Sequence, residues 1–73
     1  NPGALTTSGY SLVDAIIDSN LNTIEVHLSN IHAREKFRST SIIAPISKGQ
    51  ISGLGKKGYI LALEYLIYQL KNK

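Results

Sequence analysis

The chain has 73 residues, 42% hydrophobic and 18% charged, with a formal net charge of +3 and no cysteine. That length holds one domain, and a chain so short buries only about 60% of the surface its unfolded form exposes, so a solo fold is marginal. The composition argues against disorder and excludes a disulfide framework, a thiolate zinc site and a cysteine nucleophile. No apolar run approaches the roughly 18 residues of a membrane span, so no membrane partner is expected. The basic residues are clustered: Lys56 with Lys57, and Lys71 with Lys73 at the end. These read as solvated or helix-end charges, which leaves no stripe for nucleic acid.

Asn1-Pro2-Gly3 opens the chain with no initiator Met and no signal-peptide pattern, and reads as a cut or processed end with sequence missing upstream. Residues 1–7 read as loop, with Thr6, Thr7 and Ser8 as candidate N-caps. Across residues 10–19, Leu12, Val13, Ile16 and Ile17 form one stripe of a helix, closed by Asn20 and Asn22. Residues 23–28 then alternate. Ile24, Val26 and Leu28 lie on one face of a strand, and Thr23, Glu25 and His27 on the other. Residues 29–40 are polar, with one or two helical turns expected around 33–38. Residues 41–47 are apolar but carry Pro45, so they are not a central strand. Residues 50–54 are a short strand ended by Gly53 and Gly55. Residues 57–70 are the clearest helix, with Ile60, Leu63, Ile67 and Leu70 on one stripe. Helices alternating with strands predict an α/β fold with parallel strands. Two strands are too few to stand alone, so more sheet is expected from outside the chain.

Glu25 and His27 are the sharpest chemical pair. At i and i+2 on a strand they project from one face, and a carboxylate beside an imidazole fixes its tautomer and makes it a better proton carrier. The other reading is a solvated sheet face with no role. His32 is the only other histidine and carboxylates are few, so no metal site is expected. Arg34 and Arg38, at i and i+4, face one way if 33–38 is helical and then suit an anionic or polyhydroxylated substrate. The plain alternative is a solvated turn in which Glu35 pairs with Arg38. Ser29 and Asn30, just past the strand, either present backbone N–H groups to a carboxylate or cap the loop. Gly53-x-Gly55 lacks the third glycine of a dinucleotide fingerprint and the Gly-Lys-Ser/Thr of a Walker loop, and reads as a tight turn. Tyr10, Tyr59, Tyr65 and Tyr68 read as packing and helix-surface residues.

Three stretches carry a family resemblance: Asn1-Pro2-Gly3-Ala4-Leu5-Thr6; Glu25-Val26-His27-Leu28-Ser29-Asn30-Ile31-His32-Ala33-Arg34-Glu35-Lys36-Phe37-Arg38; and Ile43-Ala44-Pro45-Ile46-Ser47-Lys48-Gly49-Gln50-Ile51-Ser52-Gly53-Leu54-Gly55 followed by Gly58-Tyr59. Together they resemble the signature segments of type II 3-dehydroquinate dehydratase, over nearly the whole chain. The resemblance implies a flavodoxin-like fold, a five-stranded parallel sheet with helices on both faces, assembled into trimers and dodecamers. It implies a cytoplasmic shikimate-pathway lyase of aromatic amino acid biosynthesis. Such an enzyme removes water from 3-dehydroquinate to give 3-dehydroshikimate, with no cofactor and no metal. A tyrosinate on an N-terminal lid takes a proton beside the ketone, and a histidine then protonates the departing hydroxyl. That histidine matches His27, supported by Glu25. Asn1, Arg38 and the backbone N–H groups of Leu28 and Ser29 match substrate-binding positions. Asp14 matches a residue reaching the neighbouring subunit's site, and Arg34 lies near the site. Thr7 stands where the family usually has a histidine. On this reading residues 1–73 are the C-terminal half of one domain, and the base belongs to the absent N-terminal half. The alternative is a non-catalytic fragment, or an assembly or binding module, derived from the family.

Overall fold

The computed structural model describes residues 1–72; Lys73, read above as a helix-end charge, lies outside the described residues. The chain runs from a 3-10 turn at Gly3–Thr6 into helix α1 (Tyr10–Ser19) and strand β1 (Ile24–His27). A second 3-10 turn (Ile31–Ala33) and the one-turn helix α2 (Lys36–Ser39) follow. A third 3-10 turn (Ala44–Ile46), strand β2 (Gly49–Ser52) and the long helix α3 (Lys57–Lys71) complete the order.

The expected α1 is found over residues 10–19. Asn20 ends it in the left-handed conformation, φ 55°, where its N–H bonds the carbonyl of Ile17. Asparagine reaches that region at low cost, so the stop is local chemistry. The expected threonine and serine caps are not used. Gly9 occupies the N-cap with no side-chain bond, and Thr6 and Thr7 turn their hydroxyls back to the carbonyls of Gly3 and Ala4. Residues 3–6 are thus a closed turn rather than open loop. The chain passes so close at Gly9 that a Cβ would stand 2.8 Å from both Cβ and O of Leu5.

β1 and β2 pair in parallel, as the alternation of elements predicts, with Ile24 opposite Gly49, Glu25 opposite Gln50, Val26 opposite Ile51 and His27 opposite Ser52. This register divides the sheet. Glu25, His27, Gln50 and Ser52 share one face; Ile24, Val26 and Ile51 share the other. Both strands differ from expectation at their ends: β1 is shorter than 23–28, and β2 spans 49–52 rather than 50–54. Gly53 enters the left-handed region at φ 87°, and a Cβ there would stand 3.0 Å from that of Asn30, so the strand must end there. The expected helical stretch over 33–38 is broken. Arg34 is extended, and α2 starts only at Lys36, so two short turns replace one helix. Pro45 sits inside the third 3-10 turn, where its missing N–H costs nothing.

α3 packs on the apolar face, but not through the stripe that predicted it. Gly58 and Ala62 are its buried residues, and a Cβ on Gly58 would meet Val26 Cγ1 at 3.2 Å and Ile51 Cγ2 at 3.3 Å. Small residues let the helix lie close to the sheet. Ile60, Leu63, Ile67 and Leu70 face outward instead, all more than 40% exposed. Residues 41–47 reach the polar face of the sheet through Ser41, are tied to the first 3-10 turn by Ile42 donating to Thr6 O at 2.9 Å, and contact α1 at the Ala44–Ile46 turn. Among the described residues the buried apolar core is Val26, Ile31, Ile43 and Ala62.

Four buried apolar side chains do not offset the conformational entropy of 73 residues. The isolated chain is therefore expected to bind a hydrophobic dye and to melt without a sharp transition. It should gain a cooperative transition once polypeptide covers the outer face of α3. Calorimetry on a verified monomer checks this; a cooperative transition from these residues alone would refute it.

Candidate active site

The site is built around a buried carboxylate. Glu25, in the middle of β1, is only 2% exposed, and His27 is 5% exposed. They share the polar face of the sheet and bond directly, Glu25 Oε2 to His27 Nε2. The other bonds to the carboxylate come from distant segments. Ser41 Oγ donates to Oε1 at 2.7 Å, and Gln50 Nε2, on the neighbouring strand, donates to Oε2 at 2.9 Å. Burial alone would raise the Glu25 pKa. The bonds from Ser41, His27 and Gln50, together with the His27 charge, outweigh it and hold the carboxyl below its ordinary value. Glu25 is therefore a fixed anion that meets His27 at one ring nitrogen and leaves the other unbonded among the described residues.

His27 forms part of the wall of an open cleft of about 500 Å³. Its floor and rim come from three stretches: the first 3-10 turn with Asn1 and Thr7, the loop at Leu28 and Ser29, and the 31–38 segment with Arg34, Phe37 and Arg38. Each is held locally. Asn1 donates to the Tyr59 hydroxyl at 3.0 Å and accepts from Gly3 N at 3.2 Å. Ser52 Oγ links the loop after β1, accepting from Ile31 N and donating to Ser29 O, both at 3.3 Å. Asn30 caps the following turn, accepting from His32 N at 3.1 Å. Arg34 donates to the Ser29 hydroxyl. Arg38 lies 3.7 Å from Glu35 and 5.3 Å from the Phe37 ring centroid, and both members of the ion pair are well exposed. Exposed pairs of this kind contribute little, so Arg38 stays free to exchange Glu35 for a ligand. Among the described residues, the N–H groups of Leu28 and Ser29 bond to no protein group. The cleft thus sets two guanidiniums, two backbone donors and an asparagine near one imidazole backed by a buried carboxylate. That collection suits an oxygen-rich anion.

Of the residues singled out from sequence, Asn1, Thr7, His27, Leu28, Ser29, Arg34 and Arg38 line the cleft, and Glu25 lies behind His27. Asp14 is not among them; it sits exposed on α1. Ser41 and Gln50 carry the carboxylate and were not singled out. For Gln50 the signal was present, because Gln50-Ile51-Ser52 alternates like Glu25-Val26-His27. Parallel pairing in that register puts Gln50 beside Glu25. No grouping of three or more histidine, cysteine or acidic residues suited to a metal occurs among the described residues, and no helix there is long and apolar enough to cross a membrane.

A carboxyl held below its unfolded value stabilises the fold fully above that unfolded value. The contribution is lost as pH falls through the lowered, folded value. Stability of the covered, cooperatively folding protein should therefore fall on acidification through the Glu25 pKa. Glu25→Gln should remove that pH dependence and cost about 1–3 kcal/mol at neutral pH, because an amide N–H then faces buried donors. Denaturant titrations at a series of pH values check both; an unchanged acid dependence in the variant means another group is responsible.

The model of the class II dehydroquinase family matches residues 1–67. A 3-dehydroquinate dehydratase of Desulfitobacterium hafniense is 60% identical over all 73 residues, which are 50% of that protein. One of Bacillus subtilis is 55% identical over 69 residues, 94% of this chain and 47% of the relative. Solved type II dehydroquinases from Butyrivibrio crossotus and Propionibacterium acnes superpose with a TM-score of 0.85 at 48% and 45% identity. Each covers 90% of this chain and 46% of its own. The chain spans about half the length of the relatives it matches, and its parallel strands and packed helices form part of their flavodoxin-like fold. On the matched family model, the identity over its full length and the shared fold, the chain belongs to the class II dehydroquinase family.

Proposed function

We propose that this chain is the C-terminal half of a 3-dehydroquinate dehydratase domain and supplies its general acid and most of its substrate contacts. The observation that carries the reading is the Glu25–His27 pair opening onto the cleft with Arg34 and Arg38. A base on the N-terminal half removes a proton from the carbon beside the ketone, leaving an enolate. As the ketone re-forms, its electrons make the carbon–carbon double bond and expel the hydroxyl, which leaves as water with a proton from His27. Glu25 holds the imidazolium that gives that proton. The N–H groups of Leu28 and Ser29 take the substrate carboxylate, and Asn1 and Arg38 take ring hydroxyls. Arg34 stands near the site. Asp14, exposed on α1, reaches a neighbouring subunit's site in a trimer, itself part of a dodecamer. No cofactor takes part, and the protein works in the cytoplasm.

Thr7 is the departure from the family pattern. A hydroxyl reaches less far than an imidazole and carries no charge, and this one already lies 3.4 Å from Ala4 O. Thr7→His is expected to lower KM.

The test joins the N-terminal half of the Desulfitobacterium relative to Asn1 and follows the absorbance of the conjugated enone on adding dehydroquinate. The absorbance should rise. A folded fusion with no absorbance change leaves a binding or assembly module instead. In the active fusion, His27→Ala should lower kcat by about 10²–10⁴-fold. Glu25→Gln should cost less, because it keeps a partner for the ring. Arg38→Ala should act mainly on KM, as a group that binds ground and transition states alike. Full activity in the His27 variant would remove the acid assignment and leave family membership standing.

A further inference from the structure

We propose that Ser41, and Gln50 oriented by His32, are positioning residues that hold the Glu25 carboxylate ionised and in register against His27. The inference rests on His27 being the acid, and it extends the site by three residues outside the cleft wall.

The direction of each bond is forced by chemistry. An ionised carboxylate only accepts, so the Gln50 amide must turn its nitrogen to Glu25, at 2.9 Å. Its oxygen is then the atom 2.9 Å from His32 Nε2, and since it can only accept, that nitrogen carries a hydrogen. A row of donors results: His32 to Gln50, Gln50 to Glu25. His32 is itself placed by the turn that Asn30 caps. Ser41 closes the other carboxylate oxygen, and its hydroxyl also accepts from Ile43 N at 3.1 Å and Ala44 N at 3.0 Å. With two backbone donors on its lone pairs, its own hydrogen has one remaining direction, toward Glu25.

The groups facing Glu25 are few. On its own strand there is His27. From β2 comes neutral Gln50, with His32 behind it. From residues 41–47 comes neutral Ser41. α3 lies against the opposite face of the sheet. Nothing else charged bonds the carboxylate among the described residues. Its ionisation depends on two neutral donors and one imidazole.

The variants Ser41→Ala, Gln50→Leu and His32→Ala, each in the fusion, test this. Removing a donor leaves burial in charge, so Glu25 takes up a proton at higher pH. The acid limb of the kcat/KM profile should move to higher pH. At neutral pH kcat should fall roughly tenfold for Gln50→Leu, the scale of a lost bond to a charged group, with KM little changed. Ser41→Thr, which keeps the hydroxyl, should restore the limb. His32→Ala should move it less than Gln50→Leu and add nothing in that background. Lowered thermal stability with an unmoved limb would overturn the proposal and mark the residues as structural. If Gln50→Leu does not fold, Gln50→Asn and the surface change His32→Ala read the same limb. Carbon-13 titration of the Glu25 carboxyl gives a readout apart from turnover. A fusion silent toward dehydroquinate defeats the proposed function, while the carboxyl titration in the variants still decides this one.

Discussion

A carboxylate with almost no contact with water is the constraint on which the rest of this chain depends. An isolated buried anion is so costly that it neutralises instead, unless donors meet it. Glu25 is met from both flanks and along its own strand, by Ser41, Gln50 and His27. They meet there only when the sheet register and the turn at Ala44–Ile46, whose Ala44 N holds Ser41, are both correct. A slip of one residue in β2 would turn Gln50 to the α3 face and bring Ile51 beside Glu25. The charge thus penalises alternative registers that the hydrophobic residues alone would tolerate.

Much of the fold was legible because local signals agreed with tertiary ones. The helix at residues 10–19 with its close at Asn20, the alternation within 24–27 and the parallel order carried over. What failed had competing solutions. Thr6 and Thr7 are good N-caps in isolation, but a 3-10 turn just upstream offered their hydroxyls nearer carbonyls. The stripe of α3 identified a helix correctly and its buried face wrongly. Periodicity records which residues share a face; it does not record which face the sheet takes. Here close approach at Gly58 decided it, because a Cβ there would crowd β-branched Val26 and Ile51 at 3.2 and 3.3 Å.

The site divided along similar lines. Glu25 and His27 came from alternation alone, since two residues apart on a strand is a geometric statement. Arg34 and Arg38 were grouped on the assumption of one helix. The structure breaks that helix, yet both arginines still reach the cleft, through two turns instead of one. Asn1, Thr7, Leu28 and Asp14 drew attention only through family resemblance, as nothing in their spacing marks them. Ser41 and Gln50 lie 16 and 25 positions from Glu25, and only the folded register brings them to it.

The buried pair and the exposed apolar faces are parts of one problem. Residues 41–47 bring Ser41 onto Glu25, and the Ala44–Ile46 turn packs on α1. α1 itself has no fully buried residue, with Ile17 56% exposed. A helix with so little buried surface sits at the low-stability end of the fold, and the turn packed on it holds Ser41 through Ala44 N. On the opposite face, α3 packs on Val26 and Ile51 through Gly58 and leaves the row from Ile60 to Leu70 exposed. Polypeptide that covers these faces would add the apolar burial that the chain lacks, and with it resistance to local opening. The Glu25–His27 pair and its two neutral donors lie wholly within this chain, which leaves the outer face of α3 uncovered.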